Sequence, residues 1–225
     1  MSSNDVHRPL IGGIEWWELQ REQLEGTSQG VLFFRVAPHA YRLLAEGQPV
    51  TLERLAAVSS VPVQDVEAAL RQQPGTDWDD HGRLLGFGLT LRSTPHRFTF
   101  DDGRTVFAWC ASDALTFPVV VGRSGTLEST CPTTARQIRV DLTPDRVEKV
   151  DPSSAVVSLV RPDKVDNVRT EVCALGSFFA SREAAAEWLA AYPEGLVHSV
   201  QEDFQLHREI MKKIGWASSS SGARQ

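Results

Sequence analysis

The chain has 225 residues, 41% hydrophobic and 23% charged, enough apolar material for one large core or two smaller ones. A net charge of -6 argues against a nucleic-acid-binding protein, which ordinarily carries a basic face to release phosphate counterions. Three cysteines, Cys110, Cys131 and Cys173, without any Cys-x-x-Cys pair, argue against a secreted disulfide framework, a thioredoxin-like motif and a zinc knuckle.

Residues 1–30 hold Ile14, Trp16, Trp17, Leu19 and Leu24, which fit an amphipathic helix docking on the body, followed by a linker or turn over residues 26–30. The opening residues show no basic stretch ahead of an apolar one, so no signal peptide is expected. The longest apolar runs fall far short of the ~20 residues of a membrane span. A cytoplasmic protein with reduced thiols and no membrane association is the expectation.

Residues 31–94 read as a winged-helix-like helical domain. A first helix is expected over residues 36–45, stopping at Gly47 and Pro49. Thr51 is placed as the N-cap of a second helix, with Glu53 in its first turn and Leu52, Leu55 and Ala56 as its apolar stripe. Pro62 suits the first position of a third helix carrying Val63, Val66, Ala69 and Leu70 at helical spacing. A tight turn over residues 79–82 and a strand over residues 84–91 complete a wing. Gln64 in the third helix could read a base, but Asp65 and Glu67 would face phosphate, and Arg71 is its one basic residue. The wing adds Asp79 and Asp80 to a single Arg83, so this unit is read as a lid or scaffold.

Residues 95–217 alternate strands, expected at 97–100, 126–130, 137–142, 156–160 and 171–179, with helices at 111–121, 181–190 and 202–214. This pattern predicts an α+β domain with a mixed or largely antiparallel sheet. The Ser/Gly-rich residues 218–225 read as a disordered tail.

Cys110 stands just before the helix expected at 111–121, with Asp113 three residues on and on the same face. A helix N-terminus lowers a thiol's pKa, while a carboxylate one turn away opposes that and can accept and return a proton. The same spacing fits a buried free cysteine beside a first-turn aspartate. Cys173 falls in mid-strand and by spacing alone reads as a core thiol, and Cys131, ahead of Pro132, reads as a structural, half-buried cysteine.

The run Ala108-Trp109-Cys110-Ala111-Ser112-Asp113-Ala114-Leu115-Thr116-Phe117-Pro118 resembles the active-site segment of organomercurial (alkylmercury) lyases. Cys173 followed by Phe178-Phe179-Ala180-Ser181 resembles that family's second cysteine segment. Gly86-Phe87-Gly88-Leu89-Thr90-Leu91, Gly122-Arg123, Ser129-Thr130-Cys131 and Val156-Val157-Ser158-Leu159-Val160 extend the likeness in order over roughly residues 40–210. Some members carry a further cysteine where this chain has Ala174.

The resemblance implies a winged-helix-like N-terminal domain ahead of an α/β catalytic domain, and it pairs Cys110 with Cys173. It implies protonolysis of a carbon–mercury bond, with both cysteines as ligands of the soft metal and Asp113 as proton shuttle and third ligand. Mercury is then substrate and product, and no resident cofactor is expected. Trp109, Phe117 and Phe178 are the candidate walls for the organic group, with core packing as their plainer role. Small cytoplasmic thiols or a mercuric reductase would accept the mercury. Two sulfurs sharing one mercury should lie about 4–6 Å apart. Three other readings stay open: a homologue acting on another organometal or a natural product, a hydrolase pairing Cys110 with His198 or His96, and a thiol-based metal-responsive winged-helix regulator.

Overall fold

The computed structural model describes residues 25–162 and 165–218, together with Glu15, Glu18, Arg21 and Glu22. The docking helix expected around Ile14, Trp16, Trp17, Leu19 and Leu24, and the tail beyond residue 218, lie outside the described residues.

Helix α1 spans Ser28–Leu44 and starts about two turns earlier than expected. The Thr27 hydroxyl accepts from the Gly30 N–H at 3.0 Å, so the supposed linker is a capped helix start. Phe33, Val36, Ala37, Ala40, Tyr41 and Leu44 form its buried stripe. Pro38 lies inside the helix and cannot donate to the Phe34 carbonyl one turn back; the Trp216 Nε1–H donates there instead, at 3.1 Å. Helix α2, Leu52–Ser59, begins at Thr51 as expected, its hydroxyl accepting from the Arg54 N–H at 3.2 Å. Helix α3, Val63–Arg71, follows Pro62, and the three helices pack on one another.

Strands β1 (Asp77–Trp78), β2 (Leu84–Phe87) and β3 (Leu89–Thr90) come next. The single strand expected over residues 84–91 is a hairpin: Gly88, at φ +68°, folds it back so that Phe87 pairs with Leu89. Strands β4 (His96–Phe100) and β5 (Thr105–Ala108) lead into helix α4, Ala111–Val121. Strands β6 (Gly125–Thr130), β7 (Gln137–Leu142) and β8 (Val147–Asp151) complete an antiparallel eight-stranded sheet ordered β1-β2-β3-β5-β4-β6-β7-β8. The wing strands and the later strands therefore share one sheet.

Strand β9, Val156–Leu159, is the centre of a second antiparallel sheet. The segment expected as a strand over residues 171–179 is mostly not one. Helix α5 (Val168–Glu171) and a 3-10 turn (Cys173–Leu175) occupy it, and only β10 (Phe178–Phe179) pairs with β9. Local polar bonds prevail over the apolar pattern here: the Asn167 side chain accepts from the Arg169 and Thr170 N–H groups, and the Glu171 carboxylate accepts from those of Asp166 and Asn167. Helix α6 (Ala186–Ala191), strand β11 (Leu196–Ser199) and helix α7 (Val200–Lys213) follow. Ser199 and Glu202 form a capping box that starts α7 ahead of the expected residue 202. Ser218, expected in the loose tail, donates backbone and side-chain hydrogen bonds to the Val119 carbonyl.

Helix α4 is buried on nearly every side, from Ala111 to Val120, so it sits centrally, against α7, α1, β4, β5 and β9. One hydrophobic core, from Phe33 of α1 to Trp216, runs through both parts of the chain.

Candidate active site

Cys110 stands two residues beyond the end of β5 and is the N-cap of α4, with the Asp113 N–H pointing at its sulfur over 3.3 Å. Two glycine contacts fix this corner. The Trp109 N–H donates to the Gly88 carbonyl at 2.9 Å, and the Ala111 N–H to that of Gly176 at 3.3 Å. A methyl group on Gly176 would press on the Cys110 Cβ at 3.2 Å. One on Gly88 would overlap the Tyr41 hydroxyl and reach 3.3 Å from Asp113 Oδ1.

Cys173 is carried by the 3-10 turn, and its thiol donates to Asp113 Oδ2 at 3.5 Å. The sulfurs of Cys110 and Cys173 and an Asp113 oxygen all lie within 4.8 Å of one another. Both thiols are nearly closed off, at 5% and 6% exposure, so any reaction between them runs out of bulk water.

The expected lowering of the Cys110 thiol is not realised. Its hydrogen bond with Cys173, then burial, then the Asp113 charge push it well above its ordinary value, and the single Asp113 N–H does not offset them. For Cys173 the hydrogen bond with Cys110 acts downward, but burial and Asp113 leave the thiol raised. Burial likewise raises Asp113, against hydrogen bonds from both thiols and the charge of His207. Both thiols are thus pushed toward their protonated forms, with Asp113 Oδ2 3.5 Å from the Cys173 sulfur and placed to exchange a proton with it.

A cavity of about 460 Å³ opens on this group. Cys173, Asp113 and Trp109 line it from the later half of the chain; Phe33, Phe34 and Tyr41 from α1, Phe87 from β2 and Trp216 close it with aromatic surface. Arg169 of α5 lies 4.7 Å over the Trp109 ring and donates to Asp77 Oδ1 at 2.7 Å and the Gly75 carbonyl at 2.9 Å. It ties the Cys173 segment both to the residue preceding Cys110 and to β1.

Of the three aromatic residues expected at the pocket, Trp109 lines it, while Phe117 and Phe178 do not. Both are fully buried; Phe117 packs on Tyr41 and Phe98, and Phe178 on His96. Cys131 stands outside the thiol–carboxylate group and is fully buried, not half-buried. Its burial acts upward, but hydrogen bonds from Thr134 and from backbone N–H groups, Ala180 among them, bring its thiol below its ordinary value. His96 Nδ1 meets Ser129 Oγ at 2.9 Å and burial lowers its pKa to about 4, while His198 faces Asp203. No hydrogen bond joins either histidine to Cys110 among the described residues, which removes the support for a Cys–His hydrolase. Tyr41, Gly88, Arg169, His207 and Trp216 escaped the sequence reading as site residues. Gly88 alone had a signal, the glycine-flanked Phe87.

A family model described as alkylmercury lyase matches residues 89–212, and one described as the helix-turn-helix domain of alkylmercury lyase matches residues 19–88. An alkylmercury lyase of Staphylococcus epidermidis is 41% identical over 81% of this chain and 84% of its own length. One of Bacillus cereus is 44% identical over 74% and 76%, and one of Streptomyces lividans 39% over 77% and 80%. The fold is that of the mercury-bound form of MerB2, with a TM-score of 0.73 at 22% identity, covering 91% of this chain and 98% of that one. With both halves matched in order by paired models, and relatives this similar over three quarters of the sequence, the chain belongs to the alkylmercury lyase family.

Proposed function

We propose that the protein cleaves the carbon–mercury bond of organomercurials, releasing a hydrocarbon and retaining mercury(II) on Cys110 and Cys173. The convergence of two sulfurs and one carboxylate within 4.8 Å, inside an aromatic cavity, carries this reading. The soft metal prefers thiolate over nitrogen or oxygen. One thiolate binds opposite carbon, the second adds electron density and weakens the bond, and Asp113 transfers a thiol proton to the departing carbon. Holding all three groups in place replaces an improbable encounter in solution. Trp109 and the aromatic walls receive the organic group, with Asp113 as a third ligand for the metal.

Mercury is substrate and product here, not a resident cofactor. Small thiols or a mercuric reductase take it onward, and the protein works in the cytoplasm; among the described residues no helix is long and apolar enough to cross a membrane. We assign residues 31–94 to a winged-helix-like scaffold and residues 95–217 to the catalytic unit.

Headspace measurement of benzene from phenylmercury and methane from methylmercury tests the reading. Turnover should fall at least about 10²-fold in Cys110→Ser, Cys173→Ser and Asp113→Asn, with the fold kept. Absence of both hydrocarbons from the unaltered protein, or full activity in either serine variant, would overturn it.

A further inference from the structure

The reaction releases a proton that the thiol–carboxylate group cannot keep. With phenylmercuric chloride, two S–H groups and C6H5–Hg–Cl become benzene, an S–Hg–S bridge, chloride and one H⁺. The ring carbon keeps the electron pair of the broken carbon–mercury bond and binds one thiol proton, and mercury stays mercury(II). Chloride is too weak a base for the other. A single carboxylate holds one proton at a time, so in any order of events Asp113 or a thiol must discharge one from a buried site.

Helix α7, packed on α4, brings His207 to the wall of the same cavity as Asp113 and Cys173. His207 is 4% exposed. Its Nδ1 lies 2.9 Å from the Asp203 carbonyl and 3.3 Å from Asp203 Oδ2. Both neighbours are acceptors, so Nδ1 carries the hydrogen and Nε2 of the neutral ring is left as a base. Asp203 is fully buried, and its other oxygen faces His198 Nδ1 at 3.6 Å. Neither Asp203 oxygen has a hydrogen-bond partner among the described residues, so the two imidazoles at 3.3 and 3.6 Å are the groups that face its buried charge. The Asp203 carbonyl fixes the tautomer of this imidazole, the Asp203 carboxylate lies beside it, and the other ring nitrogen is left to act as a general base.

Resting on the proposed lyase chemistry, we propose that His207, backed by Asp203, takes up the proton that leaves the dithiol site and returns it to solvent. A cavity of this size admits bridging water between Asp113 and the ring. Beside the ring stands Asp203 on its own helix, with His198 of β11 on the far side of that carboxylate; Asp113 on α4, Tyr41 on α1, and Asp166 and Cys173 from the α5 region are the titratable groups that line the cavity with it. Burial lowers the basicity of His207, but Asp203 and, more weakly, Asp113 raise it above the ordinary value of 6.5. Burial would raise the Asp203 carboxyl, yet His207 and His198 hold it well below the carboxylate range. His207 must be neutral to accept a proton, so the rate should decline as pH falls through its pKa.

The test is a single turnover of phenylmercuric chloride in weak buffer, following benzene by rapid quench and proton release with an indicator dye. His207→Gln and Asp203→Asn are compared with the unaltered chain, and their melting curves exclude misfolded samples. His207→Gln should slow benzene formation about tenfold or more, erase the acid limb of the pH profile, and regain rate with added imidazole. Asp203→Asn should move that limb to lower pH. A His207→Gln rate within twofold of normal from pH 6 to 9 overturns the inference; so does a slowed rate with an unchanged limb and no imidazole rescue. If the unaltered protein forms no benzene, the lyase reading itself fails.

Discussion

Gly88 shows how much of the site depends on a missing side chain. Its positive φ turns the β2–β3 hairpin, its carbonyl receives the Trp109 N–H, and its bare Cα makes room for the Tyr41 hydroxyl beside Asp113. Gly88→Ala should destabilise the fold by about 1–3 kcal/mol, measured by denaturant unfolding, and depress benzene release. Adding Tyr41→Phe removes the overlapping oxygen and should recover part of the loss; no recovery would show that backbone strain alone is at fault. That Cys110 and Asp113 share a face was legible because a single helix start places them, while their part in a site rested on the family likeness. The meeting of Cys110 with Cys173 was legible only through family likeness, since tertiary packing sets it. Tyr41 and His207 left no mark at all, being ordinary members of amphipathic helices until α1 and α7 fold against α4.

Helices α2 and α4 agree best with the sequence, whereas α1 and α7 begin earlier than read although Thr27 and Ser199 cap them. Residues 111–121 came out as α4 in full and Thr51 caps α2 as read. The segment over residues 171–179 failed because its polar flanks, Asn167 and Glu171, bind their own backbone, an effect that apolar periodicity does not register. Strands β5, β8 and β11, of four or five residues each, were not read from the sequence. In α1 the Pro38 gap is filled from a distance, by Trp216, whose ring also walls the cavity. Trp216→Ala should therefore cost about 3–5 kcal/mol of stability and weaken phenylmercury turnover more than methylmercury turnover. Trp216→Phe keeps the ring and loses the N–H donor, so it should cost about 1 kcal/mol. Equal effects of both variants on both substrates would contradict this account.

For the whole molecule the site is a store of retained protons. Cys110, Cys173 and Tyr41 all hold theirs beyond their ordinary values. An acid with a raised folded pKa stays protonated in the native state at a pH where the unfolded chain has released the proton. Stability must then decrease as pH rises above the ordinary thiol value of 9.0. Melting temperatures between pH 8 and 10.5 should show this decline, and the double variant Cys110→Ser, Cys173→Ser should flatten it. An unaltered slope in that variant would place the titration elsewhere.

The cavity is built from two stretches of chain with separate duties. The groups proposed to break the bond come after residue 108, while α1 and β2 supply much of the aromatic lining. Exchanges at Phe33, Phe34 or Phe87 should therefore alter which organic group the cavity admits while leaving the sulfurs where they are. A scaffold divided in this way can follow new pollutants through changes in its first ninety or so residues, keeping one engine behind an interchangeable door.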